Sequence, residues 1–495
     1  MNLLHRTRGL LASIGPLVAG LTACTWVLLL FKELPLRTGD YGMFISVAER
    51  LRAGDRLYVD VYENKDPLFH YTLALGRSIT PLAGWFIEVG WIVVAAISVF
   101  SICRRLALNV RMSTFIAFVA SPVIITGAFY SPGGSHLPGI ALTLAVIACV
   151  VRGRPFVAGL LLAVLACFKL VMLPVAIVAV AVLLIFGRDR RGALRVSLGT
   201  VASLALIALL MVARGELLPY LNSLRSSASY AQDATSQPGV GAVISHITRV
   251  FTVNTQVSLL TMAVVLLLVL GHRRAQANRA LDPIGSHLTR AVIAATVAAV
   301  AVLAVTGLWV SHAQVFVALS TISLALLASR GPRYLSRAGG MNVGALLGFA
   351  VLLAGIPSMA SYVTPIEYAR GIISSQLGDP PESIFIRSSG APTTYARVGK
   401  GNDAGHAQGL QDWTLACPYF GQSDLDPKSL LDSTLNCLPS ANVILFAAEA
   451  LPLPGVPAWN EYLEDVQALL ERDYRCVAGA PGRICTKKNP VAASQ

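Results

Sequence analysis

Charge is what this sequence has least of. Only 13% of its 495 residues are charged, roughly half the share usual in a soluble globular protein. Mean hydropathy is +0.65, so a soluble enzyme with an ordinary charged surface is excluded. Acidic residues are the scarcer sign, 26 against 39 basic. Neither nucleotide-binding glycine fingerprint occurs, because "VGKGNDAG" has glycines at the wrong spacing. No CxxC pair with a histidine partner marks a zinc site. Long apolar runs stop near residue 360, so whatever follows is not buried in a bilayer.

Apolar runs of a length suited to a hydrocarbon core about 30 Å thick recur before that point. They predict eleven spans, at residues 9 to 31, 83 to 103, 112 to 129, 136 to 151, 155 to 168, 170 to 186, 196 to 214, 255 to 271, 291 to 310, 313 to 329 and 341 to 360. The first run is too long for the apolar core of a signal peptide and no small-residue cleavage site follows it, so it reads as a retained span.

The net charge of +13 is explained by where the basic residues lie, without nucleic acid as a partner. With the N-terminus inside, the cytoplasmic connections "RRLALNVR", "VRGRP", "GRDRRGALR", "HRRAQANRALDPIGSHLTR" and "SRGPRYLSR" each carry at least two arginines. The short connections on the other face, "YSPGGSH" and "SH", carry none. This positive-inside pattern sets the orientation, and it places residues 32 to 82, 215 to 254 and 361 to 495 outside the membrane.

Cysteine usage agrees. Cys24, Cys103, Cys149 and Cys167 fall in or at the ends of apolar runs, where a thiol behaves as a small apolar group. Cys417, Cys437, Cys476 and Cys485 all lie in the tail. Four cysteines outside the cell suggest two disulfides, and of three connectivities Cys417 with Cys437 and Cys476 with Cys485 close the shortest loops. The tail mixes strand-like runs ("TTYARVG", "ANVILFAA"), a helical "WNEYLEDVQALLERDY" and a hairpin pattern in "RCVAGAPGRICTK". It predicts a small extracytoplasmic α/β domain over residues 361 to 495, a lid or binding surface, after a polytopic all-α membrane domain over 1 to 360.

Polar chemistry gathers in the first outer loop, 32 to 82. After Asp40, the residues Tyr41, Phe44, Ile45, Ala48 and Leu51 share one helical face, which predicts an amphipathic helix along the membrane surface with Asp40 as its N-cap. Beyond it, "DRLYVDVYENKDPLFHY" packs acids, a lysine before a proline and several tyrosines beside the bilayer. An acid at the start of an outer helix, then "A..L..G..LY.D", then a lysine before "PL", resembles the GT-C glycosyltransferases. The resemblance is to the branch with protein O-mannosyltransferases, the aminoarabinose transferase of lipid A and actinobacterial arabinosyl- and mannosyltransferases.

The resemblance implies a transferase that takes sugar from a polyprenyl-phosphate carrier on the outer face and passes it to a glycan, lipid or protein hydroxyl. It implies Asp40 as catalytic base and Lys65 as a contact to the carrier phosphate. Tyr58, Asp60, Glu63, Asp66 and His70 are candidate substrate contacts. Lys169, after the apolar run of 155 to 168, either snorkels to the outer interface or is a second phosphate contact. His312 stands where relatives often have "HY", and otherwise packs at the interface. Many members carry a second acid directly after the first; here Tyr41 takes that place, so a divalent cation is not indicated. A multi-span transporter or flippase of envelope precursors is the rival class, but the spans are nearly free of mid-membrane charge and show no repeat.

The orientation predicts that, in intact cells, a membrane-impermeant maleimide labels a Ser131→Cys variant and labels Arg191→Cys only after permeabilisation.

Overall fold

In the computed structural model, residues 39–63, 65–80, 83–127, 134–233, 282–305, 314–330, 394–399, 414–418, 428–447, 450–453, 456–479 and 482–488 are described. They form two compact units. One holds residues 85–207 and those of 282–330; the other holds 39–84, 208–233 and the residues between 394 and 488.

The helices in chain order are α1 Gly39–Arg52, α2 Pro67–Ile79, α3 Ala83–Arg105, α4 Val110–Phe115, α5 Ser121–Gly127, α6 His136–Val151, α7 Pro155–Phe168, α8 Leu173–Gly187, α9 Arg190–Ala213, α10 Leu217–Asp233, α11 Pro283–Val305 and α12 Val315–Arg330. Among the described residues, Phe86–Arg105, Leu170–Gly187, Arg190–Ala213 and Pro283–Leu303 are long and apolar enough to cross a membrane. The runs predicted at 136 to 151 and 155 to 168 coincide with α6 and α7. The runs at 9 to 31, 255 to 271 and 341 to 360 lie outside the described residues.

In the first unit α6 is buried on nearly every side, as expected of a helix apolar all round. It packs on α7, α8 and α12, while α8 runs along α11. α7 and α9 meet through glycines. A Cβ on Gly159 would lie 2.0 Å from the Val196 carbonyl oxygen, and one on Gly199 would lie 2.2 Å from that of Phe156. The Thr200 hydroxyl donates to the Gly159 carbonyl at 3.1 Å. Small residues let backbones approach where no hydrophobic force drives helices together. Charge caps the starts: Asp189 accepts from Gly192 N–H at 2.7 Å and Asp282 from Gly285 N–H at 2.9 Å, filling donors a helix start leaves open. Between α4 and α5 a π-helical turn, Ile116–Ala120, precedes Pro122, which has no N–H to give.

In the second unit the tail forms a five-stranded sheet in the order β2-β1-β3-β5-β4. β1 is Thr394–Val398, β2 Thr414–Leu415, β3 Val443–Ala447, β4 Tyr474–Gly479 and β5 Gly482–Lys487. β1 is parallel to β2 and β3, and β5 is antiparallel to β3 and β4. Two helices, α13 Lys428–Cys437 and α14 Pro457–Asp473, pack on each other. The stripe Trp459, Tyr462, Leu463, Val466, Leu469 and Leu470 of α14 is buried with Val398, Ile444 and Cys485 in one core. Disulfides join Cys417 to Cys437 and Cys476 to Cys485, the two shortest closures. The described residues of the tail thus combine helices with a sheet, with β2 and α13 added to the elements its sequence pattern shows, and they belong to one unit with 39–84 and 208–233.

The expected surface helix is present as α1, but its apolar face does not lie on lipid. Phe44, Val47, Ala48 and Leu51 are buried, because α1 packs on α2 with Phe44 edge-on to Phe69 at 4.9 Å. The helix starts at Gly39, so Asp40 belongs to its first turn and is not the residue before it.

A methyl group at the α7–α9 crossing has nowhere to go, so Gly159→Ala should cost about 1–3 kcal/mol. Thermal unfolding in detergent should show a lowered midpoint for it and none for Gly90→Ala, whose added Cβ meets open space.

Candidate active site

The second unit builds the loop between α1 and α2 from its helix ends. α1 closes with a left-handed Gly54, φ 106°, as Gly54 N–H reaches the Leu51 carbonyl and Asp55 N–H the Arg50 carbonyl. α9 closes the same way at Gly215, φ 70°, with Gly215 N–H on Val212 and Glu216 N–H on Met211. Such caps favour glycine because the left-handed region carries no Cβ penalty there. The second cap delivers Glu216.

After α1 the chain makes a tight turn. Asp60 accepts from Arg56 three times, from its backbone N–H and Nε at 2.9 Å and from a terminal nitrogen at 3.1 Å. This fork holds the Asp60 carboxyl below the usual carboxylate range, so it closes the turn and faces solvent with Arg56. Leu57 and Val61 pair across it.

Lys65 follows, held from several directions. Its backbone N–H donates to Glu63 Oε2 at 2.7 Å, its carbonyl accepts from the Tyr58 hydroxyl at 2.6 Å, and its ammonium lies 3.6 Å from Glu63 Oε1 and 5.6 Å from the centre of the Phe44 ring. Glu63 is 5% exposed and His70 fully buried. Burial would raise the Glu63 carboxyl, but Lys65 and the bond to His70 outweigh it and bring the group down to about 2. An ionised carboxylate only accepts, so His70 Nε2 carries the proton toward Glu63 Oε2, 3.0 Å away. His70 Nδ1 has no hydrogen-bond partner among the described residues. Pro67 starts α2 directly after Asp66, and Asp66 accepts from the Tyr220 hydroxyl at 3.0 Å.

A splint runs along this loop. Glu216, Tyr220 and Ser223, spaced four and three apart on one face at the start of α10, meet it in turn. Glu216, fully buried, accepts from Leu57 N–H at 3.0 Å, from the Tyr71 hydroxyl and from Arg214 Nε at 2.8 Å. Tyr220 holds Asp66, and Ser223 donates to the Tyr62 hydroxyl at 3.2 Å. The tail adds a clasp, since Tyr62 N–H donates to the Pro418 carbonyl at 2.7 Å, one residue past disulfide-bonded Cys417. In the stretch placed outside the membrane at 215 to 254, residues Leu217–Asp233 are helix α10. Glu216, Tyr220 and Arg214 escape a sequence reading because nothing local names their partners. The available signal was an acid and a base flanking the glycine that ends an apolar run.

No family model and no curated protein sequence matches the chain. Its structure does have solved counterparts. ArnT from Cupriavidus metallidurans, bound to undecaprenyl phosphate, is similar over 97% of this chain and 98% of its own, with a TM-score of 0.59 and 13% identity. The oligosaccharyltransferase AglB from Archaeoglobus fulgidus, in complex with an inhibitory peptide and a dolichol-phosphate, is similar over 97% of this chain and 75% of its own, with a TM-score of 0.52 and 12% identity. The chain has the GT-C fold. It is a membrane protein.

Within this GT-C fold the second unit brings together Tyr58, Glu63, Lys65, Asp66 and His70, and sets Asp60 aside in its turn. Asp40 stands in the first turn of α1, one turn before Phe44, which packs against His70. Lys169 belongs to the first unit. It is 6% exposed and sits at the break between α7 and the short 3-10 turn that leads into α8, against Gly139. His312 lies outside the described residues. Among the described residues no group of three His, Cys, Asp or Glu side chains is arranged to hold a metal ion.

Because the folded Glu63 carboxyl titrates near 2 against an ordinary 4.5, its contribution is complete above pH 4.5 and is lost as pH falls toward 2, on the order of 3 kcal/mol in all. Melting temperatures measured from pH 6 down to pH 3 should therefore fall more steeply for the wild type than for Glu63→Gln.

Proposed function

We propose that this protein is an inverting glycosyltransferase that moves a sugar from a polyprenyl-phosphate carrier to a hydroxyl outside the cell membrane, on a cell-envelope glycan, lipid or protein. The observation that carries this reading is Lys65, a cation clamped through its backbone and its ammonium in the outer loop of a GT-C fold. Two solved proteins of similar fold were captured with dolichol-phosphate and undecaprenyl phosphate, the class of leaving group such a cation suits.

The chemistry assigns the parts. A sugar hydroxyl is a weak nucleophile, and a carboxylate within hydrogen-bond reach must take its proton as the new bond to the anomeric carbon forms. Asp40 is that base. The carbon to phosphate-oxygen bond breaks on the opposite face, and the negative charge growing on the phosphate needs a cation already in place. Lys65 supplies it, with Lys169 a second candidate. Glu63 remains ionised and holds the Lys65 backbone and ammonium in place. One base and one displacement, with no covalent intermediate, invert the anomeric centre. The sugar is a hexose or pentose, mannose and arabinose being the readings the sequence resemblance favours.

The purified protein should transfer sugar from a polyprenyl-phosphate donor. Asp40→Asn should slow turnover by about 10²–10⁴-fold, the usual worth of a general base. Wild-type rates in that variant, or transbilayer transport with no transfer, would remove the assignment.

A further inference from the structure

Tyr58 has a backbone that tyrosine seldom adopts. Its φ is 65°, in the left-handed region where a side chain clashes with its own carbonyl. Strain of this kind lasts only where surrounding contacts over-determine it, and it gathers at functional sites. Those contacts are present: Tyr58 N–H donates to the Val61 carbonyl at 2.7 Å, the Arg56–Asp60 fork closes the turn around it, and its ring lies 5.2 Å from that of Tyr220. Regular backbone at this position would send the side chain elsewhere. The left-handed turn instead directs the hydroxyl back across the loop to the Lys65 carbonyl, 2.6 Å away.

We infer that Tyr58 is a positioning residue for the carrier phosphate, acting through Lys65; this rests on the reading of Lys65 as the phosphate contact. The sequence pattern had placed Tyr58 among the substrate contacts, but it is 7% exposed and its hydroxyl is engaged inside the loop. A lysine ammonium rides on a flexible four-carbon stem, so its placement depends first on where its backbone is held. Tyr58 takes the Lys65 carbonyl and Glu63 the Lys65 N–H. The peptide groups on both sides of the Lys65 Cα are thereby held before any phosphate arrives. Burial also drives the Tyr58 phenol far above its ordinary value, which keeps it a donor throughout the working pH range.

Undecaprenyl phosphate is the probe, titrated into the full-length protein in detergent, with a cycle of Tyr58→Phe, Lys65→Ala and the double variant. Tyr58→Phe keeps the ring on Tyr220 and removes only the hydroxyl. It should weaken binding about tenfold, the worth of one well-formed hydrogen bond, with the melting temperature within about 2 °C of wild type. In the Lys65→Ala background the same change should add nothing, because the group it positions is gone. A tyrosine that merely supports the fold would weaken binding equally in both backgrounds; that result, or unchanged binding in Tyr58→Phe, overturns the inference while Lys65 keeps its role. Unchanged binding in Lys65→Ala would instead overturn the reading of Lys65 itself, and this inference with it.

Discussion

A carboxylate taken out of water must find donors or lose its charge, and Glu216 is fully buried. Its demand organises the second unit. It draws in the Leu57 N–H, the Tyr71 hydroxyl and the Arg214 guanidinium, three groups on three different segments. Removing one partner from such a cluster typically costs about 3–5 kcal/mol, because the remainder stays buried and unpaired. The loop carrying Lys65 can therefore be irregular in backbone and still have one arrangement. Tyr220 and Ser223 extend the same face of α10 along it, and the Pro418 carbonyl clasps its far side.

Within that frame Lys65 and Glu63 form a unit. Glu63 is ionised against the pull of its own burial because a lysine, a backbone N–H and an imidazole all point at it. The arrangement holds the Lys65 ammonium in one place, which is what its proposed role beside a developing phosphate charge requires. It also accounts for the company Lys65 keeps in sequence. Pro67 begins α2 at once, so the lysine falls where irregular backbone is held between a turn and a helix start.

Local patterns were readable where the cause was local. The apolar runs at 136 to 151 and 155 to 168 are α6 and α7, and the continuous apolar run in "ANVILFAA" is a strand buried along its length, β3. Short cysteine separations made the two disulfides the favoured pairing. The reading of α1 shows the limit. Its apolar face was visible in the sequence, but periodicity says only that a face avoids water, and lipid and protein are equally dry. That α2 covers it depends on Phe69 meeting Phe44. The helix hidden in the stretch after Gly215 was obscured by Ser and Asn, whose side chains compete for backbone hydrogen bonds; here that face of the helix is used to bind another segment.

By itself, then, the sequence determined a membrane protein, a loop rich in acids around one lysine, and a disulfide-bonded α/β tail. Each follows from length, composition or spacing, which act between near neighbours. Only the tertiary structure decided that Tyr58 would take a left-handed backbone to reach Lys65, and that a carboxylate would lie against a backbone N–H 159 positions away. Contacts at that separation exist only once helices and loops have packed, since it is packing that brings the groups together and excludes the water that would otherwise satisfy them.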